Sequence, residues 1–367
     1  MSRVLVVFGT RPEAIKLCPL ITELRRREGI ECRVCLTGQH RELLDRVLPI
    51  FDVLPDRSLS VMRAGQSLSS LTERLLRELS EVLSREHPKL VLVHGDTTTA
   101  FACALACFYQ NIPIGHVEAG LRTYDLRAPF PEEWNRRAIG VLASYHFAPT
   151  AQAKENLLSE GISQEKIRVT GNTGIDALCH TVRSDYRHEQ LDWVGDAPLL
   201  LLTAHRRENL GMPMREAFRG IRRVVEEKKE WKVLYPVHAN PAVRQIAEEE
   251  LSGMERIRLI EALDAIDFHN FLARCRLVVT DSGGIQEEAP ALGKPVLILR
   301  RTTERPEGIR AGVARLIGTS EGSVYRGIRE LMENRALYDT MARAVNPYGD
   351  GHACQRIADS VEELVAL

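Results

Sequence analysis

Short, continuously apolar segments recur along the chain, and each is followed by a polar or glycine-rich loop and then by a helical pattern. Continuous apolar runs are typical of strands covered on both faces, as in a parallel sheet. Strands are predicted at residues 4–8, 32–36, 90–93, 113–117, 145–148, 167–170, 199–203, 233–236, 257–260, 277–280 and 296–299. The alternation of strand and helix predicts an α/β fold built from doubly wound parallel sheets.

Two stretches show the helical pattern between these strands. Leucine or valine occurs at positions 68, 71, 75, 79 and 82, and these steps of three and four place the side chains on one face of a helix. Thr150 is the predicted N-cap of a second helix over residues 151–160, which Gly161 can end.

The length of 367 residues exceeds what one ordinary hydrophobic core organises and favours two domains. Residues 185–197 are rich in charge and are predicted to connect the domains. Roughly six predicted strands precede this stretch and roughly five follow it, a division that fits two open Rossmann-like sheets better than one closed barrel.

Charge and hydropathy exclude several classes of protein. Lys+Arg 49 against Asp+Glu 50 leaves a formal net charge of -1, so no overall field favours nucleic acid or an acidic membrane. The apolar run at residues 4–8 is too short for a signal peptide, and no stretch has the length needed to span a bilayer. The expected location is the cytoplasm.

Cys32 and Cys35 form a CxxC motif, but they lie within a predicted strand. Residues three apart on a strand point to opposite faces of the sheet, which is poor geometry for a shared metal ion. The motif therefore indicates buried free thiols in a reducing compartment.

Polar residues cluster where the predicted strands end. In an open α/β sheet the carboxyl ends of the strands form the ligand-binding edge. Any one of these loops could be an ordinary capped turn, but their common position on two sheets predicts a ligand site in a cleft between two domains. The loops are residues 9–13, 37–40, 94–97, 204–209, 238–240 and 281–284.

Residues 281–289, with the sequence DSGGIQEEA, give the sharpest local pattern, because a strand runs into two glycines and then into a helix. Without Cβ atoms, a diphosphate can approach the backbone, where free N–H groups and the helix dipole favour its charge. A plain helix N-cap explains the same pattern equally well. Glu288, further along the helix, could accept hydrogen bonds from ribose hydroxyls.

Cationic side chains accompany these loops, and at strand ends they suit phosphate or carboxylate partners although each could be a solvated surface charge. They are Arg11, Lys16, Arg206, Arg207 and Arg305. Phe268 could stack on a base, although a core position is the commoner role for such an aromatic residue.

Three carboxylates follow strands of the first half, namely Asp96, Glu118 and Glu132. Partial burial would raise their pKa values toward the range useful for general acid/base catalysis. His205 in the second half is a candidate acid, base or diphosphate partner. The competing interpretation is a set of structural salt bridges that join Glu132 or Glu133 to Arg136 or Arg137.

A series of motifs runs in order along nearly the whole chain: residues 9–16 (GTRPEAIK), 94–99 (HGDTTT), 117–123 (VEAGLRT), 129–136 (PFPEEWNR), 170–173 (TGNT), 205–209 (HRREN), 281–290 (DSGGIQEEAP) and 346–351 (NPYGDG). This series resembles the non-hydrolysing UDP-N-acetylglucosamine 2-epimerases. The resemblance implies a GT-B architecture with the active site in the interdomain cleft, and a C-terminal helix that returns to pack on the first domain.

The expected N-terminal domain, residues 1–171 plus 353–367, carries the acid/base carboxylates, and the C-terminal domain, residues 172–352, binds UDP. The resemblance implies an isomerase that interconverts UDP-N-acetylglucosamine and UDP-N-acetylmannosamine for polysaccharide biosynthesis. Because the C2 proton is too weakly acidic for direct exchange, the family eliminates UDP to give 2-acetamidoglucal and then re-adds it with protonation on the opposite face of C2. A homodimer is expected, with no nicotinamide, other cofactor or metal.

The resemblance also assigns site residues by position. The expected catalytic residues are Asp96, Glu118, Glu132 and His205, the last assisting at the departing diphosphate. UDP would be held by Arg11, Ser282, Gly283, Gly284 and Glu288, with Phe268 near the uracil. The other expected substrate-binding residues are Lys16, Arg136, Arg206, Asn209, His238 and Arg305.

One segment departs from the pattern of the family. Some bacterial members bind a second UDP-N-acetylglucosamine as an allosteric activator, through a Gln-His-Arg-Gln segment and a downstream arginine. Residues 39–42 read Gln-His-Arg-Glu here, and Gly65 occupies the arginine position. An acidic Glu42 and a missing cation weaken diphosphate binding, which argues against the strong form of this regulation.

Other functions remain possible at the level of sequence. A hydrolysing epimerase would release UDP and free N-acetylmannosamine, although the segments around Leu121 and Pro131 match the non-hydrolysing pattern. A GT-B glycosyltransferase has no need of the three carboxylates. A non-catalytic UDP-sugar sensor would keep the double-glycine loop and lose Asp96, Glu118 or Glu132, all of which are present.

Overall fold

The computed structural model describes residues 1–39, 44–45, 47–63 and 65–366. The chain forms two compact units, Met1–His180 with Tyr348–Leu367 and Thr181–Pro347. Each unit has a parallel sheet with helices between its strands, which confirms the prediction of two Rossmann-like α/β domains. The chain passes between the units after residues 180 and 347, whereas the sequence placed the expected boundaries after residues 171 and 352.

The first unit contains a seven-stranded sheet within the described residues, with the order β3-β2-β1-β4-β5-β6-β7. The direction of winding reverses between β1 and β4, so the loops after these strands open a crevice at the carboxyl edge. The strands are β1 Ser2–Phe8, β2 Ile30–Leu36, β3 Arg57–Ser58, β4 Leu90–His94, β5 Ile114–Val117, β6 Tyr145–Ala148 and β7 Ile167–Val169.

Helices connect these strands: α1 Arg11–Arg25, α2 Leu68–Glu86, α3 Thr98–Tyr109, α4 Glu132–Leu142, α5 Ala151–Ser159 and α6 Thr173–Thr181, with short 3₁₀ turns at Leu48–Phe51 and Gln164–Lys166. The stripe predicted for α2 is buried from Leu71 to Val82, while Leu68 at its start is exposed. The hydroxyl of Thr150 accepts from the Ala153 amide at 3.1 Å, which confirms the predicted cap of α5.

The CxxC motif lies on β2, and its two thiols enter different cores. Cys32 packs in the layer that contains α1, whereas Cys35 packs in the layer that contains α2 and α3. The prediction that the two cysteines face opposite sides of the sheet is therefore confirmed. Cysteines of the described chain are free thiols, and Cys179 differs from the others in being exposed.

The second unit contains a six-stranded parallel sheet in the described chain, with the order β10-β9-β8-β11-β12-β13. Its strands are β8 Leu199–Thr203, β9 Lys232–Pro236, β10 Ile257–Ile260, β11 Leu277–Thr280, β12 Val296–Ile298 and β13 Ala314–Leu316. Its helices are α7 Glu189–Val194, α8 Met212–Glu227, α9 Pro241–Leu251, α10 Ala265–Arg274, α11 Gly283–Ala291, α12 Pro306–Arg310, α13 Glu321–Glu333 and α14 Arg335–Arg343, and a 3₁₀ turn spans Arg207–Asn209.

The stretch predicted as a connection, residues 185–197, belongs instead to the second unit. It contains α7, whose Leu191 and Val194 are buried in the core of that unit. The prediction was wrong because the two apolar residues are diluted by charged neighbours in the sequence.

The last helix, α15 Ala353–Ala366, returns to the first unit and packs against α1. The Asp176 carboxylate on α6 accepts the backbone amides of Ala353 at 3.2 Å and Cys354 at 2.7 Å, which fixes the start of α15. The C-terminal helix implied by the resemblance is therefore confirmed. Within the described residues, no helix has both the length and the apolar character needed to cross a membrane.

Candidate functional site

The carboxyl edge of the first sheet is organised around the buried side chain of Glu13. Its carboxylate accepts the amides of Gly9 and Thr10 at 3.0 and 2.8 Å, and the hydroxyl of Thr97 donates to it at 2.7 Å. Burial raises the pKa of Glu13, and these hydrogen bonds oppose the shift. One carboxylate thus joins the loop after β1 to the loop after β4.

Gly9 is required at this edge because of its neighbours. A Cβ atom at position 9 would lie 2.1 Å from the Thr37 hydroxyl and 2.9 Å from that of Thr99. These two hydroxyls are 3.0 Å apart, so the loops after β1 and β2 and the start of α3 are packed tightly at this edge. Any larger residue at position 9 would separate them.

Glu118 follows β5 and has a φ of 63°, in the left-handed region that a residue with a Cβ atom rarely adopts. Its carboxylate forms an ion pair with Lys16 and accepts from the side-chain amide of Asn172 at 3.2 Å. His94 lies buried beside it, with its Nε2 3.7 Å from the carboxylate, and burial lowers the pKa of His94 to about 4. Backbone strain of this kind is typical of functional positions.

Asp96 follows β4 and forms an ion pair with Arg136 on α4. The side-chain amide of Asn135 donates to the Asp96 carbonyl at 2.8 Å, so one turn of α4 holds both the backbone and the side chain of Asp96. Burial raises the pKa of Asp96, Arg136 opposes this shift, and the charges of Glu118 and Glu132 add to it. Glu118 and Glu132 are therefore each close enough to Asp96 to disfavour its negative charge.

Adjacent residues on α4 have different surroundings. Glu133 is fully buried, accepts the amides of Thr123 and Tyr124 at 3.0 Å each, and lies 3.5 Å from Arg136. Glu132 forms no ion pair with a described residue, and its Oε2 is buried without a hydrogen-bond partner there. The structural salt bridge considered from the sequence is thus found at Glu133 and not at Glu132.

Arg11 begins α1 at the same edge of the sheet. Its guanidinium has no ion pair or hydrogen bond with the described part of the chain. Arg11 is therefore a cation available to an anion at the start of a helix, where the helix dipole adds to its charge.

In the second unit, the loop after β8 is held by Asp281, which follows β11. The Asp281 carboxylate accepts the amides of His205 and Arg206 at 3.0 and 2.9 Å and the side-chain amide of Asn209 at 3.1 Å. Asn209 also donates to the Leu299 carbonyl at 2.9 Å. The Asn209 amide, predicted to bind substrate, therefore positions this loop.

His205 stacks on His238, with ring centroids 5.2 Å apart and an angle of 15° between the planes. Burial lowers the pKa of His205, whereas Asp281 opposes that shift. The His205 side chain keeps 36% of its surface exposed, and His238 is exposed. The pair therefore presents imidazole groups at the carboxyl edge of the second sheet.

The two glycines predicted to receive a diphosphate begin α11, and Ser282 is its N-cap residue. A Cβ atom at Gly283 would lie 3.0 Å from the guanidinium carbon of Arg305, whereas at Gly284 the nearest atom is 3.9 Å away. Arg305 is held by Glu287 at 2.7 Å and lies 3.3 Å from Glu304. The helix start thus combines an approachable backbone with a fixed cation.

The other predicted residues of the second unit lie as follows. The Arg206 side chain forms an ion pair with Glu304 at 3.1 Å. Although burial acts in the other direction, Arg305 and Arg300 hold the pKa of Glu304 below its ordinary value. The Glu288 carboxylate is 3.6 Å from the buried His269, and Phe268 is half-buried against the core.

The allosteric segment can be followed only in part. His40, Arg41 and Glu42 lie outside the described residues, so the structure does not bear on the expectation for them. Gly65, at the position of the family's arginine, is exposed and has a φ of 68°.

Sequence reasoning assigned no role to several residues that organise the two edges: Glu13, His94, Asn172, Asp281, Glu287 and Glu304. One had a visible signal, since Thr10 followed three residues later by Glu13 is a capping box, which the structure contains. The others act through contacts between segments distant in the chain.

Comparisons with known proteins identify the family. A model described as UDP-N-acetylglucosamine 2-epimerase matches residues 22–362. The UDP-N-acetylglucosamine 2-epimerase of Bacillus subtilis (strain 168) is 53% identical over 363 residues, which cover 99% of this chain and 95% of that protein.

Two solved structures agree with this assignment. UDP-GlcNAc 2-epimerase from Neisseria meningitidis bound to UDP-GlcNAc is 44% identical, with a TM-score of 0.89 over 98% of this chain and 100% of that one. S. aureus MnaA in a co-structure with UDP is 47% identical, with a TM-score of 0.92 over 100% and 98% of the two chains. The chain belongs to the UDP-N-acetylglucosamine 2-epimerase family.

Proposed function

We propose that this protein interconverts UDP-N-acetylglucosamine and UDP-N-acetylmannosamine without hydrolysing the nucleotide sugar. The observation that carries the proposal is the position of three carboxylates in one unit, with Asp96 and Glu118 just after β4 and β5 and Glu132 at the start of α4. Family membership supplies the substrate, since the Neisseria meningitidis relative binds UDP-GlcNAc and the S. aureus relative binds UDP.

In the first step of the proposed reaction, a carboxylate of this group takes the C2 proton. The C2–H electrons form a C1=C2 double bond, and the C1–O bond breaks with its electron pair on the β-phosphate of UDP. The products are 2-acetamidoglucal and bound UDP. Burial raises the pKa of Asp96. A carboxyl group with a raised pKa is suited to proton transfer near neutral pH.

In the second step, a β-phosphate oxygen attacks C1 and C2 receives a proton on the opposite face. Two carboxyl groups, one for each face, are needed to change the configuration, which explains why one acid is not enough. Lys16 and Arg136 form ion pairs with Glu118 and Asp96 in the free protein, and these cations can stabilise charge that develops on the sugar.

UDP is assigned to the second unit. The start of α11 at Gly283 and Gly284 offers backbone amides and Arg305 offers a cation to the diphosphate. His205 is placed at the departing diphosphate, where its imidazole can donate a proton or a hydrogen bond.

The test is incubation of the pure protein with UDP-N-acetylglucosamine in D₂O, followed by NMR. The proposal predicts deuterium at C2 of both epimers and an intact nucleotide sugar. Accumulation of free UDP with free N-acetylmannosamine would instead identify a hydrolysing epimerase. Unchanged substrate without deuterium would indicate a UDP-sugar sensor.

A further inference from the structure

Asp281 is a buried carboxylate whose hydrogen bonds go to another loop, and neither helix capping nor core packing explains them. Its side chain is fully buried, and it receives the amides of two consecutive residues, His205 and Arg206, together with the side-chain amide of Asn209. A buried carboxylate stays ionised only where several donors compensate for the lost water. Three donors of one loop thus converge on one negative charge.

The same carboxylate also faces the ring that this loop carries. Oδ1 of Asp281 lies 3.6 Å from Nδ1 of His205, too far for a direct hydrogen bond but close enough for a strong electrostatic effect in a partly buried site. The other groups that affect the ring are His238, which stacks on it, and Arg206, and both disfavour its protonation. Asp281 is the charge that opposes them.

We propose that Asp281 is a positioning residue for His205, which fixes the backbone of the loop and supports a positive charge on the imidazole when the diphosphate of UDP departs. This inference rests on the proposed role of His205 at the diphosphate. The arrangement uses one carboxylate for two tasks: Oδ2 accepts the Arg206 and Asn209 amides, whereas Oδ1 accepts the His205 amide at 3.1 Å and also faces Nδ1.

A purely structural role would predict something different. If Asp281 only anchored the loop, its charge would still affect the His205 titration through proximity, but losing that charge would not lower kcat through His205. The titration of the ring in the free protein therefore tests whether the charge reaches His205, and the kcat values of a double-mutant cycle separate the two roles. If the proposed epimerase reaction itself failed its test, this titration would still report the link between the two residues.

The variant to compare with the wild type is Asp281→Asn, which removes the charge and nearly preserves the shape. The His205 ring is followed by NMR across pH and is assigned by its absence in His205→Asn. Removing an opposite charge at this distance should lower the pKa of His205 by about one unit. An unchanged His205 pKa in folded Asp281→Asn would overturn the inference.

The matched control is Asp176→Asn in the first unit. Asp176 also accepts two backbone amides, those of Ala353 and Cys354, but it faces no histidine of the proposed site. This variant should lower stability and leave the titration of His205 unchanged. A shift of similar size in the control would also count against a specific effect of Asp281.

Kinetics give a second measurement through a double-mutant cycle. If Asp281 acts through His205, kcat should fall about tenfold or more in Asp281→Asn, and adding that change to His205→Asn should lower kcat no further than about twofold. Fully additive losses would contradict the inference. If Asp281→Asn does not fold, Asp281→Ser, whose hydroxyl can still accept a loop amide without carrying a charge, replaces it in both measurements. An unchanged His205 pKa in that variant would overturn the inference.

Discussion

At the scale of single residues, the free protein pairs two of its predicted acid/base carboxylates with cations. Glu118 is paired with Lys16 and Asp96 with Arg136. The negative charge of each partly buried carboxylate is therefore balanced by a neighbouring positive charge. A substrate that brings a sugar and a diphosphate changes this balance, because its anionic charge can recruit the cations. The ion pairs thus describe the state before binding.

Asp96→Asn tests the role of the carboxylate most simply. The amide cannot take up a proton, but the change leaves the backbone carbonyl of residue 96, which accepts from Asn135, in place. We expect the variant to lose C2 deuterium exchange by at least about a hundredfold and to bind UDP nearly as well as the wild type. NMR in D₂O and calorimetric titration with UDP measure the two properties, and retained exchange would remove Asp96 from the mechanism.

Adjacent carboxylates on α4 offer a matched comparison. Glu132→Gln should lower activity about 10² to 10⁴-fold with little change in stability, because Glu132 holds no described structural contact. Glu133→Gln should lower the free energy of unfolding by about 1–3 kcal/mol, because Glu133 accepts two buried backbone amides. Turnover assays and urea unfolding of both variants check this division, and the reverse pattern would refute it.

The sequence located most of the predicted site residues at strand ends but could not separate catalytic from structural carboxylates. Glu13, Glu133 and Asp281 occur in motifs of the same series as the acid/base candidates, and only the fold shows that their oxygens are occupied by backbone amides. Asn209 was assigned to substrate for the same reason. Which donors a carboxylate meets depends on contacts between distant segments, and one sequence does not contain them.

At the scale of elements, every predicted strand is present, and those that were missed are β3 and β13. Each is very short and lies at the edge of its sheet, and both contain an arginine. An edge strand needs no continuous apolar run, because it is covered less fully than a central strand. Hydrophobic pattern therefore finds the centre of each sheet more readily than its edges.

The loop after β5 that carries Glu118 depends on a glycine two residues later. Gly120 has a φ of 90°, and a Cβ atom there would lie 2.2 Å from the Ala153 carbonyl oxygen on α5. We expect Gly120→Ala to lower the free energy of unfolding by about 2–4 kcal/mol and to reduce activity by displacing Glu118.

The control for that prediction is Gly161→Ala at the end of α5. Gly161 has a similar φ of 85°, but nothing lies within 4 Å of its added Cβ atom. Gly161→Ala should lower the free energy of unfolding by only about 1 kcal/mol, because the left-handed backbone conformation is then its only unfavourable effect. Equal losses in the two variants, measured by urea unfolding, would show that contact with α5 is unimportant.

At the scale of the whole molecule, acid should destabilise the first unit. His94, His116 and His146 are buried on neighbouring strands, and burial lowers their pKa values to about 4, 3 and 4. Between pH 6.5 and about 4 the unfolded chain binds more protons at these rings, so stability decreases as pH falls. Each unit of difference in pKa corresponds to ~1.4 kcal/mol per histidine.

Urea unfolding at pH 7.5 and pH 5 measures this effect. His146→Leu should show a smaller loss of stability on acidification than the wild type, whereas His352→Gln, at an exposed position, should show the same loss. Glu13 and Asp96 change the pH dependence of stability in the opposite direction, because burial raises their pKa values. Both groups are present in each variant, so the difference in pH dependence between His146→Leu and the wild type reports the contribution of His146. An identical pH dependence in His146→Leu would contradict the assignment.

The central claim is that UDP leaves the sugar and returns to it within one turnover. UDP-N-acetylglucosamine labelled with ¹⁸O at the oxygen between C1 and the β-phosphorus tests this directly, by ³¹P NMR of the nucleotide sugars at equilibrium. Cleavage and re-formation of the C1–O bond predict that the label spreads to the non-bridging oxygens of the β-phosphate as UDP-N-acetylmannosamine forms. Formation of UDP-N-acetylmannosamine with all of the label still in the bridging position would contradict the account.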